Sequence, residues 1–362
     1  MRKHYLDNIR WFTVLLVGLY HVIYMYNGVA TFGVVGPFKE VQYQDAFLYL
    51  CYPWFMLLLF IVAGISSRLY LEKHTIKEYI KSRTTKLLVP STIGVFVYCW
   101  IQGYINMNLS DASESMIPDN IPAAIKYLIM CLSGIGVLWF AQLLWLFSLG
   151  LALIRLCEKG KLFELTKKTN IIVLVLLVVP VFLSGLILNT PMVLVYRFGY
   201  YGMGFLLGYF VFAHEEVIDR LVKYRYFLIA AAAVLGAVFT ILRFGQNYGE
   251  APCYNCIEAV AFAWAICLAI FSSFKKWFNT SNNTTKFLTK RSYGFYILHY
   301  LAMSSVALLL HKYTQMPALP TYLITGAATF VGGFLLNEII SRIPILRWCV
   351  LGIKKEKKNV QG

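Results

Sequence analysis

Apolar blocks of roughly 17–22 residues, the length that crosses a hydrocarbon core as a helix, recur along this chain from end to end. Ten can be read, at 11–28, 46–67, 87–106, 137–154, 171–189, 196–213, 226–243, 257–274, 292–311 and 320–340. Inside a bilayer every backbone polar group must be satisfied by the protein itself, so each block is expected to be a helix. The fold class read here is all-α, a polytopic membrane protein with about ten transmembrane helices. Only 14% of the residues are charged, against about 25% in an ordinary soluble domain. Pro53, Pro90 and Pro180 fall in or beside blocks, where neighbouring helices can satisfy the carbonyls a proline frees.

The net charge of +16 would suit a nucleic-acid partner, but its distribution excludes one. Of the 33 lysines and arginines, 28 fall in the segments 1–10, 68–86, 155–168, 220–225, 275–291 and 342–358. Only Lys39, Lys126, Arg197, Arg243 and Lys312 lie in the alternate connections. Basic residues mark cytoplasmic loops, so both termini are expected in the cytoplasm and the protein in the cell membrane, where the basic segments face anionic headgroups of the lipid bilayer. No soluble module gathers the charge, as DNA or RNA binding would require. One membrane-embedded domain is expected over 1–345, followed by a short basic cytoplasmic tail at 346–362. Segment 68–86 reads as an amphipathic surface helix. Segment 107–136 carries Asp111, Glu114 and Asp119, then an apolar stretch from Ile121 to Leu132; it is either an interfacial or re-entrant cap or a simple tether. Cys253 and Cys256, in CYNC, lack a second ligand pair at zinc spacing, so a strained disulfide or two free thiols is preferred over a metal, and no metal site is expected. The first block is longer and more aromatic than a signal-peptide core, so cleavage is not expected.

The chemistry-bearing residues begin in NIRWFTVLLVGLYHV, where ten residues separate Arg10 from His21. Eleven steps of a helix bring two side chains back to one face about 16 Å apart along the axis. Arg10 is then at the cytoplasmic boundary, with Asp7 one turn earlier to hold it, and His21 is near mid-bilayer. Ionisable groups at that depth are rare and face the protein interior. RSYGFYILHY places His299 roughly 10 Å into its own helix, with Tyr296 on the same face, so two histidines could meet at similar depth. Taken alone, His299 also reads as an interhelical hydrogen-bonder and Arg10 as a boundary anchor. Arg83 and Lys86 in SRTTKLLVP are one turn apart, a geometry that suits a phosphate-bearing ligand or lipid headgroups. Asp45, Arg197, Arg243 and Glu258 fall near the outer boundary; Glu258 can pair with Arg197 or Arg243, and Glu338 with Arg342.

Arg10 and His21 within YLDNIRWFTVLLVGLYHV resemble the first-span signature of the acyltransferase-3 membrane family. YPWFMLLLFIVAGISSR resembles its second span, with Ala63 and Gly64 in place of the usual Ser-Gly. SRTTKLLVP resembles its basic pair, with Lys86 where Arg is common. VLWFAQLLW and SYGFYILHY resemble its Trp-Phe span and its late Ser-Tyr-Gly…His segment. The resemblance implies an integral-membrane enzyme that moves an acyl group, acetyl or succinyl, from cytoplasmic acyl-CoA to a hydroxyl of a glycan or small molecule, with no permanently bound cofactor. His21 and Arg10 are the expected catalytic pair, and Arg10, Arg83 and Lys86 the donor-binding cations. His299, Tyr296, Glu258 and Asp45 are secondary candidates. A neutral imidazole can take the proton of an attacking hydroxyl, worth about 10²–10⁴-fold in rate, and the phosphates of CoA call for arginine and lysine at the mouth. A transporter or flippase of a lipid or glycan precursor is the alternative; it predicts no thioester turnover. The sequence implies no oligomeric state.

Overall fold

The computed structural model describes residues 3–29, 33–109, 121–158, 160–192 and 194–354. Helix α1 (His4–Tyr24) is followed by the short α2 (Ala46–Cys51) and by α3 (Phe55–Leu71). The surface helix α4 (Ile76–Arg83) starts at a capping box in which Thr75 and Glu78 satisfy each other's backbone N–H, as expected for segment 68–86. From there a nearly continuous helical run holds α5 (Val89–Gly94) and α6 (Trp100–Leu109). Next come α7 (Ala123–Ser133), α8 (Trp139–Glu158), α9 (Lys161–Thr166), α10 (Ile171–Leu176) and α11 (Val178–Ser184). After the hairpin of β1 (Asn189–Met192) and β2 (Leu194–Arg197) the chain is again helical. These helices are α12 (Phe198–Phe210), α13 (Glu215–Lys223), α14 (Arg225–Arg243), α15 (Ala251–Tyr254), α16 (Ile257–Trp277), α17 (Asn283–Tyr313), α18 (Ala318–Ala327), α19 (Gly333–Arg342) and α20 (Pro344–Leu351).

Among the described residues, eight helical segments are long and apolar enough to cross a membrane. They coincide with eight of the ten apolar blocks. The other two blocks give shorter pieces. Block 171–189 becomes the pair α10–α11, interrupted at Leu177 three residues before Pro180, and block 196–213 becomes the 13-residue α12. Thirteen residues rise about 20 Å, short of the roughly 30 Å hydrocarbon core. The missing length is taken by the β1–β2 hairpin, whose antiparallel ladder pairs Asn189 with Arg197 and Met192 with Leu194 and so satisfies the backbone there.

The basic segments gather at one end of the bundle. There Lys3 bonds the Ala213 carbonyl and pairs with Glu215, Tyr5 N–H donates to Asn279, and Asn8 donates to the Phe278 and Thr280 carbonyls. Helix α20 packs on α5 at this same end, with Cys349, Val350 and Leu351 buried; the expected domain boundary between 345 and 346 thus falls inside a docked helix. The far end is tied by other contacts, Gly28 to Asp45, Tyr49 to Gln246 and Tyr26 to Thr325. Helix α7 packs against α6, so the apolar stretch after Ile121 is a packed helix, while Asp111, Glu114 and Asp119 lie outside the described residues.

Glycines set the closest helix contacts. A Cβ on Gly64 of α3 would stand 2.0 Å from the Phe205 carbonyl, and one on Gly208 of α12 would stand 2.1 Å from the Ile61 carbonyl, so these two backbones touch directly, as small residues allow between membrane helices. Pro90 cannot donate to the carbonyl of Lys86; the hydroxyl of Tyr293 donates to that carbonyl instead, and the preceding turn, Thr84–Leu88, widens to a π-type turn.

Candidate active site

Helix α1 packs along α17, and this contact carries the site. Gly18, three residues before His21, lets the ring of Phe295 come within 3.0 Å of where a Cβ would be, and Gly333 of α19 does the same on the other side of Phe295. The helices therefore approach closely at the level of the two histidines. His21 Nδ1 lies 3.0 Å from His299 Nε2. His299 Nδ1 lies 2.8 Å from the Tyr296 carbonyl and 3.1 Å from that of Phe295.

These distances assign the protons of the neutral pair. Carbonyl oxygens only accept, so His299 Nδ1 carries its hydrogen. Its Nε2 is then a lone pair, and His21 Nδ1–H is the donor to it. The remaining nitrogen, His21 Nε2, is left as a lone pair. His299 is fully buried, whereas His21 keeps partial exposure deep inside the bundle, so its ring borders an internal space. Rings of Tyr24 and Tyr300 stand edge-on to it, with centroids 6.3 and 5.0 Å away.

Toward the basic end, Arg10 lies on the same helix about 16 Å from His21. Its Nη1 pairs with Asp7 at 3.2 Å and its Nη2 donates to Ser66 Oγ at 2.8 Å. Arg83 donates to the next residue, Ser67, at 2.9 Å, and Tyr79 donates to the same oxygen at 2.9 Å. Each serine sends its own hydrogen to the carbonyl four residues back on α3, which leaves its lone pairs for the arginines. Three elements thus set two guanidinium groups side by side on adjacent serines. Arg68, the next residue, stacks over Phe163 with 3.5 Å to the ring centroid and pairs with Glu72 at 3.2 Å.

A family model for an acyltransferase domain, Acyl_transf_3, matches residues 3–338. The chain belongs to this family. No curated protein and no solved structure matches it. As members of an acyltransferase family, these residues can be sorted by what the fold does with each. His21, His299, Arg10 and Arg83 come together along one line from mid-bundle to the basic end. Lys86 does not join them: the π-type turn between it and Arg83 breaks the expected one-turn spacing, and its side chain is exposed. Tyr296 reaches His299 through its carbonyl, while its hydroxyl donates to the Val137 carbonyl at 2.7 Å.

Glu258 and Asp45 sit apart. Of the two arginines it could meet, Glu258 pairs with Arg243, whose Nε lies at 2.9 Å. Asp45 accepts from Gly28 N–H at 2.9 Å and pins the loop after α1. Glu338 pairs with both Arg342 and Arg291. Cys253 and Cys256 are free thiols, with Cys256 Sγ donating to the Cys253 carbonyl. Sequence reasoning missed Ser66 and Ser67 as guanidinium holders. Their only signal was adjacency, two hydroxyls beside Arg68 in an otherwise apolar span.

Proposed function

We propose that this membrane-embedded acyltransferase transfers an acyl group, acetyl or succinyl, from cytoplasmic acyl-CoA to a hydroxyl of a glycan or other envelope-linked acceptor. The basic end is then the cytoplasmic end, both termini are on that side, and the two short helical pieces complete ten crossings. The observation that carries the reading is the histidine pair, in which His21 Nε2 is an unprotonated nitrogen bordering an internal space while Nδ1 is anchored to His299.

In this reading acyl-CoA enters between α1, α3 and α4. Arg10 and Arg83 meet its phosphates, with Lys86 at the outer edge of the mouth. The roughly 16 Å from Arg10 to His21 is of the order spanned by the pantetheine arm. The acceptor hydroxyl attacks the thioester carbonyl as His21 Nε2 takes its proton. The tetrahedral intermediate collapses, the C–S bond breaks, and the departing sulfur takes that proton from the imidazolium. The products are an ester and free CoA. While His21 is charged, its Nδ1–H points at the lone pair of His299, and His299 in turn rests on two backbone carbonyls; His299 positions the base and shares its charge.

The test is CoA release by the full chain in proteoliposomes, for wild type and His21→Ala, each shown to be inserted and folded. The expected result is a loss of about 10²–10⁴-fold in turnover with unchanged insertion. Unchanged turnover removes His21 from the mechanism, and movement of a glycan precursor without CoA release turns the assignment to a transporter.

A further inference from the structure

Beyond His21, on the side away from the arginines, the bundle interior is lined by tyrosines. Tyr24 follows His21 by one turn on α1; Tyr52 precedes α3; Tyr300 follows His299; Tyr248 dips inward from the far-end loop between α14 and α15. The ring centroids of Tyr20 lie 5.9 Å from Tyr24 and 6.3 Å from Tyr52, and those of Tyr52 and Tyr248 are 5.1 Å apart. Tyr24, Tyr52 and Tyr300 keep partial exposure although protein surrounds them, so they border the same interior that His21 does. The hydroxyls of Tyr52 and Tyr300 make no hydrogen bond to any described residue. A polar group held away from bulk water without a partner costs about 1–3 kcal/mol, and that cost disappears when a ligand supplies the partner.

At the end of this space is an arginine that the mechanism leaves unused. Arg197 is 1% exposed. Its guanidinium carbon stands 3.9 Å from the centroid of Tyr200 and 4.4 Å from that of Tyr254. Its Nη2 donates to the Tyr254 carbonyl and to Asn255 Oδ1, while Nε has no partner. No carboxylate among the described residues pairs with it. The charge is held by ring faces and neutral oxygens, so its field is uncompensated and reaches the Tyr52 hydroxyl.

We infer that this tyrosine-lined space is the acceptor site and that it takes a hydroxylated ring, neutral or anionic, in preference to a cationic amine. The inference rests on the acyltransferase reading above and names its second substrate class. Aromatic faces suit the apolar faces of a sugar ring, and the open hydroxyls of Tyr52 and Tyr300 suit its OH groups. The acceptor oxygen then reaches His21 from the side opposite the donor. An uncompensated buried cation repels a protonated amine, so the site favours O-acylation over N-acylation.

The experiment uses the full chain in nanodiscs with acetyl-CoA or succinyl-CoA and three acceptor probes: a methyl glucoside, glucuronate and glucosamine. Tyr52→Phe and Tyr300→Phe should raise the acceptor KM by about three- to tenfold, the loss of one hydrogen bond, and should move the acyl-CoA KM much less. Wild type should acylate the glucoside or glucuronate in preference to glucosamine. Arg197→Gln should erase that preference, and Arg197→Lys, which keeps the charge, should retain it. CoA release to water without any acceptor, dependent on His21, tests the underlying reading separately. If that release is absent, the enzyme reading fails and the inference with it. If it is present, the acceptor assignment alone is wrong under any of three results: both phenylalanine variants keep the wild-type acceptor KM, glucosamine is the best probe, or no probe is acylated.

Discussion

At the basic end, Arg10 and Arg83 lie part-exposed, each resting a nitrogen on one of two adjacent serines of α3. At the far end, Arg197 is closed off between the rings of Tyr200 and Tyr254. The same side chain serves two purposes. A guanidinium held by one or two hydrogen bonds at a water-accessible rim keeps donors for an incoming phosphate. One buried against ring faces has spent its donors on the fold and acts at a distance, through its charge. Between the two ends stands His21, and each end bears on it from its own side.

The largest expected effect lies at that meeting point. His21→Ala should lower turnover by about 10²–10⁴-fold, and the loss should be the same whichever substrate is limiting. Arg10→Ala comes next. Losing a charge-assisted hydrogen bond is worth about 1.5–3 kcal/mol, so the acyl-CoA KM should rise by roughly ten- to a hundredfold, with the acceptor KM little changed. A defect confined to membrane insertion would make Arg10 a boundary anchor and dissolve the contrast between the two ends. His299→Gln should reduce turnover about tenfold, because a glutamine oxygen can still accept from His21 Nδ1–H but with looser geometry; full activity would leave His299 a packing residue. Ser66→Ala, which removes only the support of Arg10, should raise the acyl-CoA KM by about two- to fivefold.

The smallest effect is one of pH and belongs to the basic end. His214 precedes α13, stacks on Phe163 at 3.9 Å and donates from Nε2 to the Phe163 carbonyl at 2.8 Å. Burial is the main cause that holds its imidazole below the usual histidine range, with the Arg68 charge adding to it; the Phe163 carbonyl, Glu216 and Glu164 act the other way. The unfolded chain then binds the proton more readily than the folded one. The docking of α13 should be constant above about pH 6.5 and weaken as pH falls below it. Amide exchange in α13 across pH 5–8 measures this, and His214→Gln should flatten the profile.

The histidine depth and the arginine spacing were legible because a helix has a fixed rise and turn. Ten residues between Arg10 and His21 place them on one face of α1 whatever surrounds it. The basic pair was misread for the same reason: Arg83 and Lys86 were taken as one regular turn apart, and Pro90 together with the Tyr293 hydroxyl widens that turn. Ser66 and Ser67 were passed over because a hydroxyl in a membrane span usually bonds its own backbone. These two do so, and accept an arginine as well. The two short crossings were read as full spans because apolar composition runs on through residues 185–196, where the chain turns to a hairpin.

What the sequence determined by itself is local or statistical: which segments leave water, which end gathers the positive charge, and which side chains share a face of one helix. These follow from hydropathy, charge and the period of the α-helix. What only the tertiary structure decided is the pairing of groups far apart in the chain, above all His21 with His299, 278 positions on. That pair forms because Gly18 and Gly333 let α1, α17 and α19 close around Phe295. Close packing of three helices is a property of complementary surfaces, and no single helix carries it.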